Sequence, residues 1–258
     1  MRRYHHGDLR EALVQAATSL IAAEGLDAFS LRRVAALLEV SQSALYSHFR
    51  DKDDLLAAVA AVGFERLREC LQEALAQCPA QEFGDSSAAR ARTVALVRSY
   101  ITFALAEPAM FGLMFRAPHG GLGNYPVLST ASANCLALVR SSLVHCAQSA
   151  GAAESGSQQA ELRAAAGWAQ VHGLAELLRS RWLEPRLLPA TLLDALAELL
   201  LEVLRAPLPG LSGEHASSAP MAADDDSAGA ACADAEPARG GCASGESLFD
   251  RLLAATAS

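Results

Sequence analysis

The chain has 258 residues, of which 52% are apolar and 5% aromatic, so it can bury one large core or two small ones. Alanine and leucine dominate, whereas β-branched and aromatic residues are sparse, which favours an all-helical fold. No cysteine pair has C-x-x-C spacing and no run of about 18 uncharged apolar residues occurs, which argues against a zinc site and a membrane span.

Charge is distributed unevenly along the chain. Taken whole, the net charge of -8 argues against a nucleic-acid-binding protein. However, residues 207–258 hold eight acidic residues against two arginines, a net charge of -6, whereas residues 1–52 hold seven basic residues, six acidic residues and three histidines. The N-terminal segment is therefore close to neutral, and its local composition permits contact with phosphate.

The N-terminal residues and the cysteine content predict the cellular compartment of the protein. Residues 1–4 lead into polar residues rather than an apolar stretch, so we expect no secretory signal peptide. Six cysteines without an export signal indicate the reducing cytoplasm. We expect neither a cofactor nor a metal ion, because the seven histidines are scattered apart from the adjacent His5 and His6.

Hydrophobic periodicity predicts four helices in the first 77 residues. Their predicted bounds are 9–24, 31–39, 42–49 and 52–77. Asp8, Ser30, Ser41 and Asp51 are placed to cap them in that order. A long helix followed by two short helices joined by a tight turn is the layout of a DNA-binding helix-turn-helix.

A second helical region follows a predicted loop over residues 80–87. Apolar periodicity resumes at Val94 and ends at Glu107, and further helices are predicted over 109–116, 127–149, 159–182 and 190–205. Beyond Pro207, glycine, alanine, serine, proline and aspartate dominate, which predicts a disordered tail.

The third predicted helix carries the side chains best suited to read bases. The Ser41 hydroxyl can cap this helix, so that its dipole faces a phosphate. Gln42, Ser43 and Ala44 lie in the first turn, the part of such a helix nearest the base edges. Gln42 can bond adenine in two places, and Ala44 can contact a thymine methyl group.

Four arginines of the N-terminal segment are further candidates for DNA contact. Arg32 or Arg33 is expected to reach a phosphate from the second helix. Arg2 and Arg3 are expected to enter a minor groove as a flexible arm.

The stretch over residues 30–56 resembles the helix-turn-helix of the TetR family. The matching features are the Val40-Ser41 turn, a Leu-Tyr-x-His-Phe run over residues 45–49, and the Lys-x-x-Leu-Leu start of the fourth helix at residues 52–56. The opening residues 3–9 also resemble a subset of this family.

The resemblance implies that Tyr46, His48 and Lys52 clamp the DNA backbone. Tyrosine and lysine donate to phosphate oxygens without reading sequence. The alternatives are that Tyr46 packs with its hydroxyl in water and that His48 is structural. One departure is Glu39, which stands where the family often has glycine, so we expect a slightly different turn and a weaker DNA affinity.

Residues 109–115 and 167–174 resemble the C-terminal domain of one TetR group that carries a Trp-His-Gly pattern. The resemblance implies a cavity for a small apolar effector in the helical body. Trp168 and His172 are four residues apart and share a helix face, so they can form an apolar wall with one polar anchor. Alternatively, the candidate side chains form ordinary core. The candidate pocket residues are Phe103, Met110, Phe111, Met114, Phe115, Trp168 and His172.

The final predicted helix carries a broad apolar stripe that needs a cover. Together with the preceding helix it can form half of a four-helix dimer interface, or it can be buried within one subunit. The dimer is favoured because a two-fold operator needs two recognition helices about 34 Å apart. The predicted interface residues are Leu174, Leu178, Leu192, Leu196, Leu199 and Val203.

Together these features predict a three-helix DNA-binding domain (1–54), a helical ligand-binding and dimerisation domain (55–206) and an acidic low-complexity tail (207–258). The predicted function is that of a ligand-responsive repressor, which binds a palindromic double-stranded DNA operator as a homodimer. No association with a membrane is expected. Two alternatives stay open. One is a thiol sensor that switches at Cys135 or Cys146. The other is a helical enzyme, which is disfavoured because residues 80–206 contain no catalytic motif.

Overall fold

A computed structural model describes residues 6–78, 86–116, 118, 120–149, 157–183 and 190–205. Within these ranges the chain forms nine α-helices, one 3₁₀ turn and no strand, which confirms the predicted all-helical fold. Arg2, Arg3 and the acidic tail over residues 207–258 lie outside the described residues.

The N-terminal part holds four helices and the remainder holds five. In chain order they are α1 (His6–Glu24), α2 (Leu31–Leu37), α3 (Gln42–Tyr46), α4 (Lys52–Ala76), α5 (Ser86–Ala106), α6 (Pro108–Met114), the 3₁₀ turn (Leu122–Asn124), α7 (Pro126–Ser149), α8 (Ser157–Arg179) and α9 (Ala190–Arg205).

Some predicted helix ends in the N-terminal part were wrong by two or three residues. α1 begins at His6, so Asp8 lies inside this helix and is not its cap. α2 ends at Leu37 rather than at Glu39, because Glu39 adopts a positive φ of 54° that no right-handed helix accommodates. α3 ends at Tyr46, three residues before its predicted end.

The predicted end of α8 was also wrong. The helix stops at Arg179, and Trp182 lies beyond it. The physical reason is the backbone of Arg181, whose φ of 60° places it in the left-handed region that ends helices.

The N-terminal helices pack around a small core of their own. Leu13, Val34, Leu45 and Phe49 are at most 1% exposed. These four side chains come from α1, α2, α3 and the turn after α3, so their burial fixes the relative orientation of the three helices. The orientation of α3 against the rest of the protein is set in this way.

α4 connects the N-terminal helices to the body. It runs without a break from Lys52, so the predicted domain boundary after residue 54 falls inside its first turn. The helix packs against α1 and α6, and against α5 and α7 of the body. Any tilt of α4 therefore moves the helix-turn-helix relative to the body.

Ion pairs join the helices of the body on its surface. Arg98 Nη2 lies 2.7 Å from Asp194 Oδ1, which links α5 to α9, and Arg140 Nε donates to Glu161 Oε2 over 2.6 Å, which links α7 to α8. The Arg98–Asp194 pair is exposed, and exposed pairs contribute little to stability, typically about 0–1 kcal/mol each, whereas the Arg140–Glu161 pair is partly buried. The apolar core common to α4, α5, α7, α8 and α9 therefore holds the body together.

The segment Pro126–Gln148 of α7 is long and apolar enough to cross a bilayer by length and composition, with a mean hydropathy of 1.3. In the structure its apolar side chains, such as Leu128, Cys135 and Val139, are buried against the neighbouring helices. The apolar side chains of α7 thus form part of the core of the helical body.

Candidate DNA interface and effector site

Each short element of the helix-turn-helix begins at a side chain that caps it. The Arg33 N–H donates to Ser30 Oγ over 3.3 Å, and the Ala44 N–H donates to Ser41 Oγ over 3.1 Å. At the start of α4, Asp51 Oδ1 accepts from the Asp54 N–H over 2.8 Å, so the caps predicted at Ser30, Ser41 and Asp51 are confirmed.

The beginning of α3 is open to solvent. Ser41, Gln42 and Ser43 are exposed, Ala44 is half-buried, and Leu45 behind them is fully buried. The hydroxyls of Ser41 and Ser43 lie 2.9 Å apart, so they hydrogen-bond each other. The structure therefore presents the polar side chains of one short helix on a rigid apolar base, which is the arrangement that direct base readout needs.

The three predicted backbone clamps differ in exposure. Tyr46 is 54% exposed, His48 is half-buried, and Lys52 is exposed at the first residue of α4. The Lys52 ammonium lies 5.4 Å from the centroid of the Phe29 ring, so a cation–π contact holds it beside the N-terminal core. At this place its charge adds to the positive end of the α4 dipole.

Arg32 and Arg33 are not equivalent. The Arg33 guanidinium donates twice to the Glu24 carboxylate, over 2.6 and 2.8 Å, and once to the Ala28 carbonyl. This pairing lowers the pKa of the Glu24 carboxyl, chiefly through the hydrogen bond from Arg33. Arg32 is exposed, and it is therefore the better placed of the two for a phosphate contact.

The turn between α2 and α3 has the geometry of a glycine turn without a glycine. Glu39 has a φ of 54°, in the left-handed region, and is exposed. Its N–H donates to the Ala36 carbonyl over 3.2 Å, and the Val40 N–H donates to the Ala35 carbonyl over 3.0 Å. Hence the backbone keeps the tight turn, and Glu39 carries the conformational strain.

Arg50, in the turn between α3 and α4, is a further basic residue beside the candidate interface. Its Nη2 donates to Asp54 Oδ1 over 3.3 Å and to the Asn124 carbonyl over 3.2 Å. Its guanidinium carbon lies 5.6 Å from the centroid of the Tyr125 ring. A basic side chain between His48 and Lys52 was visible in the sequence, but its partners 74 and 75 positions away were not.

The predicted aromatic pocket residues of α6, of the position after it and of α8 form one ring cluster. Phe111 and Phe115 have ring centroids 4.9 Å apart, and Phe115 lies 4.3 Å from His172. Trp168 stacks on His172 with centroids 5.1 Å apart and planes inclined by 17°. Tyr100 of α5, which the sequence analysis did not assign to this site, joins the cluster 5.6 Å from Phe111.

His172 is the polar centre of this cluster. Its Nδ1 lies 3.0 Å from the Tyr100 hydroxyl. Burial lowers the pKa of His172, an effect that the Glu176 carboxylate opposes. Burial also raises the pKa of Tyr100 well above its usual value. Both side chains are therefore neutral near pH 7, and the imidazole tautomer determines which of the two donates in this hydrogen bond.

The other predicted pocket residues are buried nearby. Met110, Met114 and Phe103 are at most 5% exposed. Phe103 lines a groove of about 600 Å³ between α4 and α5, together with Val94 and Thr102 among others. Hence the structure brings the α6 and α8 candidates into mutual contact and places Phe103 on a neighbouring groove.

The two thiols of the alternative sensor hypothesis lie in the core. Cys135 is fully buried and Cys146 is 2% exposed. Burial raises the pKa of Cys135 to about 12 and also raises the pKa of Cys146. Because the thiolate is the reactive form, this surrounding disfavours both as redox switches. Within the described ranges, no group of three or more His, Cys, Asp or Glu side chains is placed to hold a metal ion.

The predicted dimer residues fall into different environments. Leu199 is 51% exposed, and Leu174, Leu196 and Val203 are half-buried. Leu178 is 1% exposed, so it belongs to the core of the protomer and is not available to a second copy. The side chain of Leu192 lies outside the described residues.

Comparison with known proteins gives two family matches. Residues 13–59 match the model of bacterial regulatory proteins of the tetR family, and residues 93–204 match that of the tetracyclin repressor-like C-terminal domain. A comparison with curated proteins gave no significant match.

Solved structures share the fold over most of their length. A protein of unknown function from Rhodococcus sp. RHA1 is 31% identical, with a TM-score of 0.62, over 78% of this chain and 98% of that chain. A TetR-like transcriptional regulator from the same organism is 20% identical (TM-score 0.51; 78% and 96% of the two chains). A TetR-family transcriptional regulator from Streptomyces coelicolor is 20% identical (TM-score 0.52; 76% and 96%).

Proposed function

Since this chain belongs to the TetR family of bacterial regulatory proteins, we propose that it is a repressor that binds a two-fold symmetric operator as a homodimer and releases it when a small apolar effector binds its body. It acts on double-stranded DNA in the cytoplasm. The observation that carries this proposal is the exposed, Ser41-capped start of α3 on a fully buried apolar base.

The chemistry of the exposed side chains supports DNA recognition. Gln42 is exposed at the first residue of α3, where its amide can read a base edge, and Ser41, Tyr46 and Lys52 carry donors that can bind phosphates around it. No acidic residue lies in α3 itself, whose sequence is Gln-Ser-Ala-Leu-Tyr. The recognition helix itself therefore adds no negative charge against the DNA, and the nearest carboxylate before it is that of Glu39 in the preceding turn.

An exposed apolar surface on α8 and α9 supports the homodimer. Leu177 and Leu199 are 45% and 51% exposed. Gly173, which directly precedes Leu174 on α8, is also exposed. A Cβ at this position would meet no atom within 4 Å, so a helix of a second copy has room to approach α8 closely. In the proposed dimer these faces pair across the two-fold axis and set the separation of the two α3 helices.

The ring cluster supports an effector response. It connects α5, α6 and α8, and α6 in turn packs on α4, the helix that carries the DNA-binding part. An apolar molecule that wedges between these rings displaces α6 and with it α4. Effector and operator then favour different conformers, so each lowers the affinity for the other.

A selection of bound fragments from random duplex DNA tests the proposed function. We expect the recovered sequences to converge on a two-fold symmetric motif, with half-sites about one helical turn apart. A Gln42→Ala variant should lose preference at one position in each half-site, by about 1–3 kcal/mol against the wrong base. Recovery of unrelated sequences by the wild-type protein would refute the regulator proposal.

Sedimentation at graded concentrations tests the homodimer. Leu199→Glu places a charge on the proposed interface and should shift the protein towards the monomer. Leu105→Glu is the matched control, because Leu105 is 36% exposed on α5, outside the proposed interface. Dissociation by both variants, or by neither, would contradict the assignment of the interface to α8 and α9.

A further inference from the structure

A polar contact joins the helix-turn-helix to the loop that precedes α7. Arg50 lies in the turn between α3 and α4, and its Nη2 donates to the Asn124 carbonyl over 3.2 Å. The same guanidinium stacks over the Tyr125 ring, with its carbon 5.6 Å from the ring centroid. This contact connects two parts of the chain that are 74 residues apart.

Hydrogen bonds to the first turn of α4 hold Arg50 in place. The backbone N–H of Arg50 donates to Asp54 Oδ2 over 3.0 Å, and its Nη2 donates to Asp54 Oδ1 over 3.3 Å. The Asp54 N–H in turn donates to the helix cap Asp51 over 2.8 Å. The guanidinium is therefore tied to the first turn of α4, and any displacement of that turn displaces it.

The partners of Arg50 on the other side, Asn124 and Tyr125, are also held in place. Gly120 and Gly121 have φ values of 80° and 83°, and Asn124 Nδ2 donates to the Gly120 carbonyl over 2.9 Å. A Cβ on Gly120 would come within 2.5 Å of Asn124 Nδ2. Tyr125 is only 7% exposed, so it is part of the core. The acceptor of Arg50 is thus anchored to the body.

The contact between Arg50 and the loop lies between the candidate DNA contacts and the ring cluster. Arg50 lies two residues from both His48 and Lys52, which are candidate phosphate contacts. The loop lies between α7 and α6, and α6 carries Phe111 of the ring cluster and is followed directly by Phe115. A shift of α6 reaches the recognition helix along this route as well as through α4.

We propose that Arg50, held by the Asn124 carbonyl and the Tyr125 ring, is a positioning residue that fixes the recognition helix relative to the body and so restricts the operator to one half-site spacing. This inference rests on the proposed function, because it needs a dimer bound to a two-fold site. It goes beyond that function by assigning spacing selectivity to residues that do not read bases.

A direct phosphate contact by Arg50 is the competing role, since the side chain is 63% exposed. The two roles differ in what Tyr125 does. A buried tyrosine does not touch DNA, so the phosphate role predicts that Tyr125 is irrelevant to operator binding. The positioning role predicts that loss of either side chain has the same effect and that loss of both adds little.

The experiment uses the full-length protein and duplexes from the selection, with zero, one or two base pairs inserted between the half-sites. Binding by the wild type, Arg50→Gln, Tyr125→Leu and the double variant is measured over a range of salt concentrations. Tyr125→Phe is the matched control, because it keeps the ring beneath the guanidinium. Gly120→Ala is a second route to the same result, because its Cβ crowds the Asn124 side chain and its positive φ of 80° strains the turn that holds the Asn124 carbonyl, without touching Arg50 or Tyr125.

We expect Arg50→Gln, Tyr125→Leu and Gly120→Ala to reduce the preference for the selected spacing by about 2- to 10-fold, with little further loss in the double variant. Tyr125→Phe should behave like the wild type. The salt dependence should be unchanged, because no phosphate contact is lost.

Two results would overturn the positioning role. One is a salt slope reduced by about one in Arg50→Gln together with normal binding by Tyr125→Leu and Gly120→Ala, which assigns Arg50 to a phosphate. The other is unchanged spacing preference in all folded variants, as judged by circular dichroism. A wild-type protein that selects no two-fold motif would refute the proposed function instead, so the two failures are distinguishable.

Discussion

Gly63 of α4 lies directly beneath Met114 of α6. A Cβ built on Gly63 would come within 2.7 Å of Met114 Cγ and within 2.8 Å of Met110 Sδ. Both methionines are at most 4% exposed, so they have little room to withdraw. The absence of a side chain at Gly63 therefore sets how closely the helix of the ring cluster approaches the helix that carries the DNA-binding part.

We expect Gly63→Ala to destabilise the protein by up to about 2 kcal/mol. Overpacking a core costs about 1–3 kcal/mol, whereas alanine gains about 1 kcal/mol over glycine within a helix. Urea unfolding measures the difference. In a cycle with Met114→Ala, the double variant should be more stable than the two single effects predict. Simple additivity would show that Gly63 and Met114 do not clash.

The backbone strain at Glu39 should affect the stability of the protein, whereas the charge of Glu39 should affect its DNA affinity. Glu39→Gly relieves a left-handed conformation that costs about 1–2 kcal/mol and adds about 0.5–1 kcal/mol of chain entropy to the unfolded state, so the net gain in stability should be about 0.5–1 kcal/mol. Glu39→Gln keeps the strain and should leave stability unchanged.

Removal of the Glu39 charge should affect DNA binding instead. Both Glu39→Gly and Glu39→Gln should bind the selected duplex more tightly at low salt, with the gain lost at about 1 M salt because of screening. Fluorescence anisotropy titrations measure this. An effect of Glu39→Gly alone would assign the weaker affinity to the turn geometry and not to the carboxylate.

The backbone clamps should act on all DNA sequences alike. Tyr46→Phe loses one donor and should weaken binding by about 1 kcal/mol, or about fivefold. Lys52→Ala should weaken binding and reduce the slope of log affinity against log salt by about one. Arg68→Ala is the control, since residue 68 lies 16 positions, or about 24 Å, further along α4. Wild-type affinity in both clamp variants would rule out the assignment.

Stability should depend on pH through His172. Burial lowers the pKa of His172 in the folded state below its usual value of 6.5. The unfolded chain therefore binds a proton more readily, so the contribution of neutral His172 is present in full above about pH 6.5 and is lost as the pH falls towards the lower folded pKa. The slope for one proton is at most about 1.4 kcal/mol per pH unit.

A His172→Gln variant tests this dependence. Its unfolding free energy should fall less between pH 7.5 and pH 5 than that of the wild type, at equal protein concentration. Replacing His145, which lies in α7 outside the ring cluster, by glutamine should leave the wild-type profile unchanged. Identical profiles for the wild type and His172→Gln would mean that another group controls acid sensitivity.

The limits of prediction at the candidate site can be seen in particular residues. Trp168 and His172 were predicted to share a face because they are four residues apart in a helix, and they stack with centroids 5.1 Å apart. Tyr100 was not assigned to this site, because its hydrogen bond to His172 spans 72 residues. Leu178 was assigned to a surface and is buried, since an apolar stripe does not reveal whether its own subunit or another covers it.

The sequence by itself determined which segments form helices and the caps at Ser30, Ser41 and Asp51. These features depend on interactions within one or two helical turns, such as the bond from the Ala44 N–H to the Ser41 hydroxyl, so local pattern is sufficient to predict them. Only the tertiary structure decided that Arg50 reaches Asn124, that Tyr100 reaches His172 and that Gly63 admits Met114. Those contacts join distant segments, and their existence depends on how whole helices pack, which no local periodicity contains.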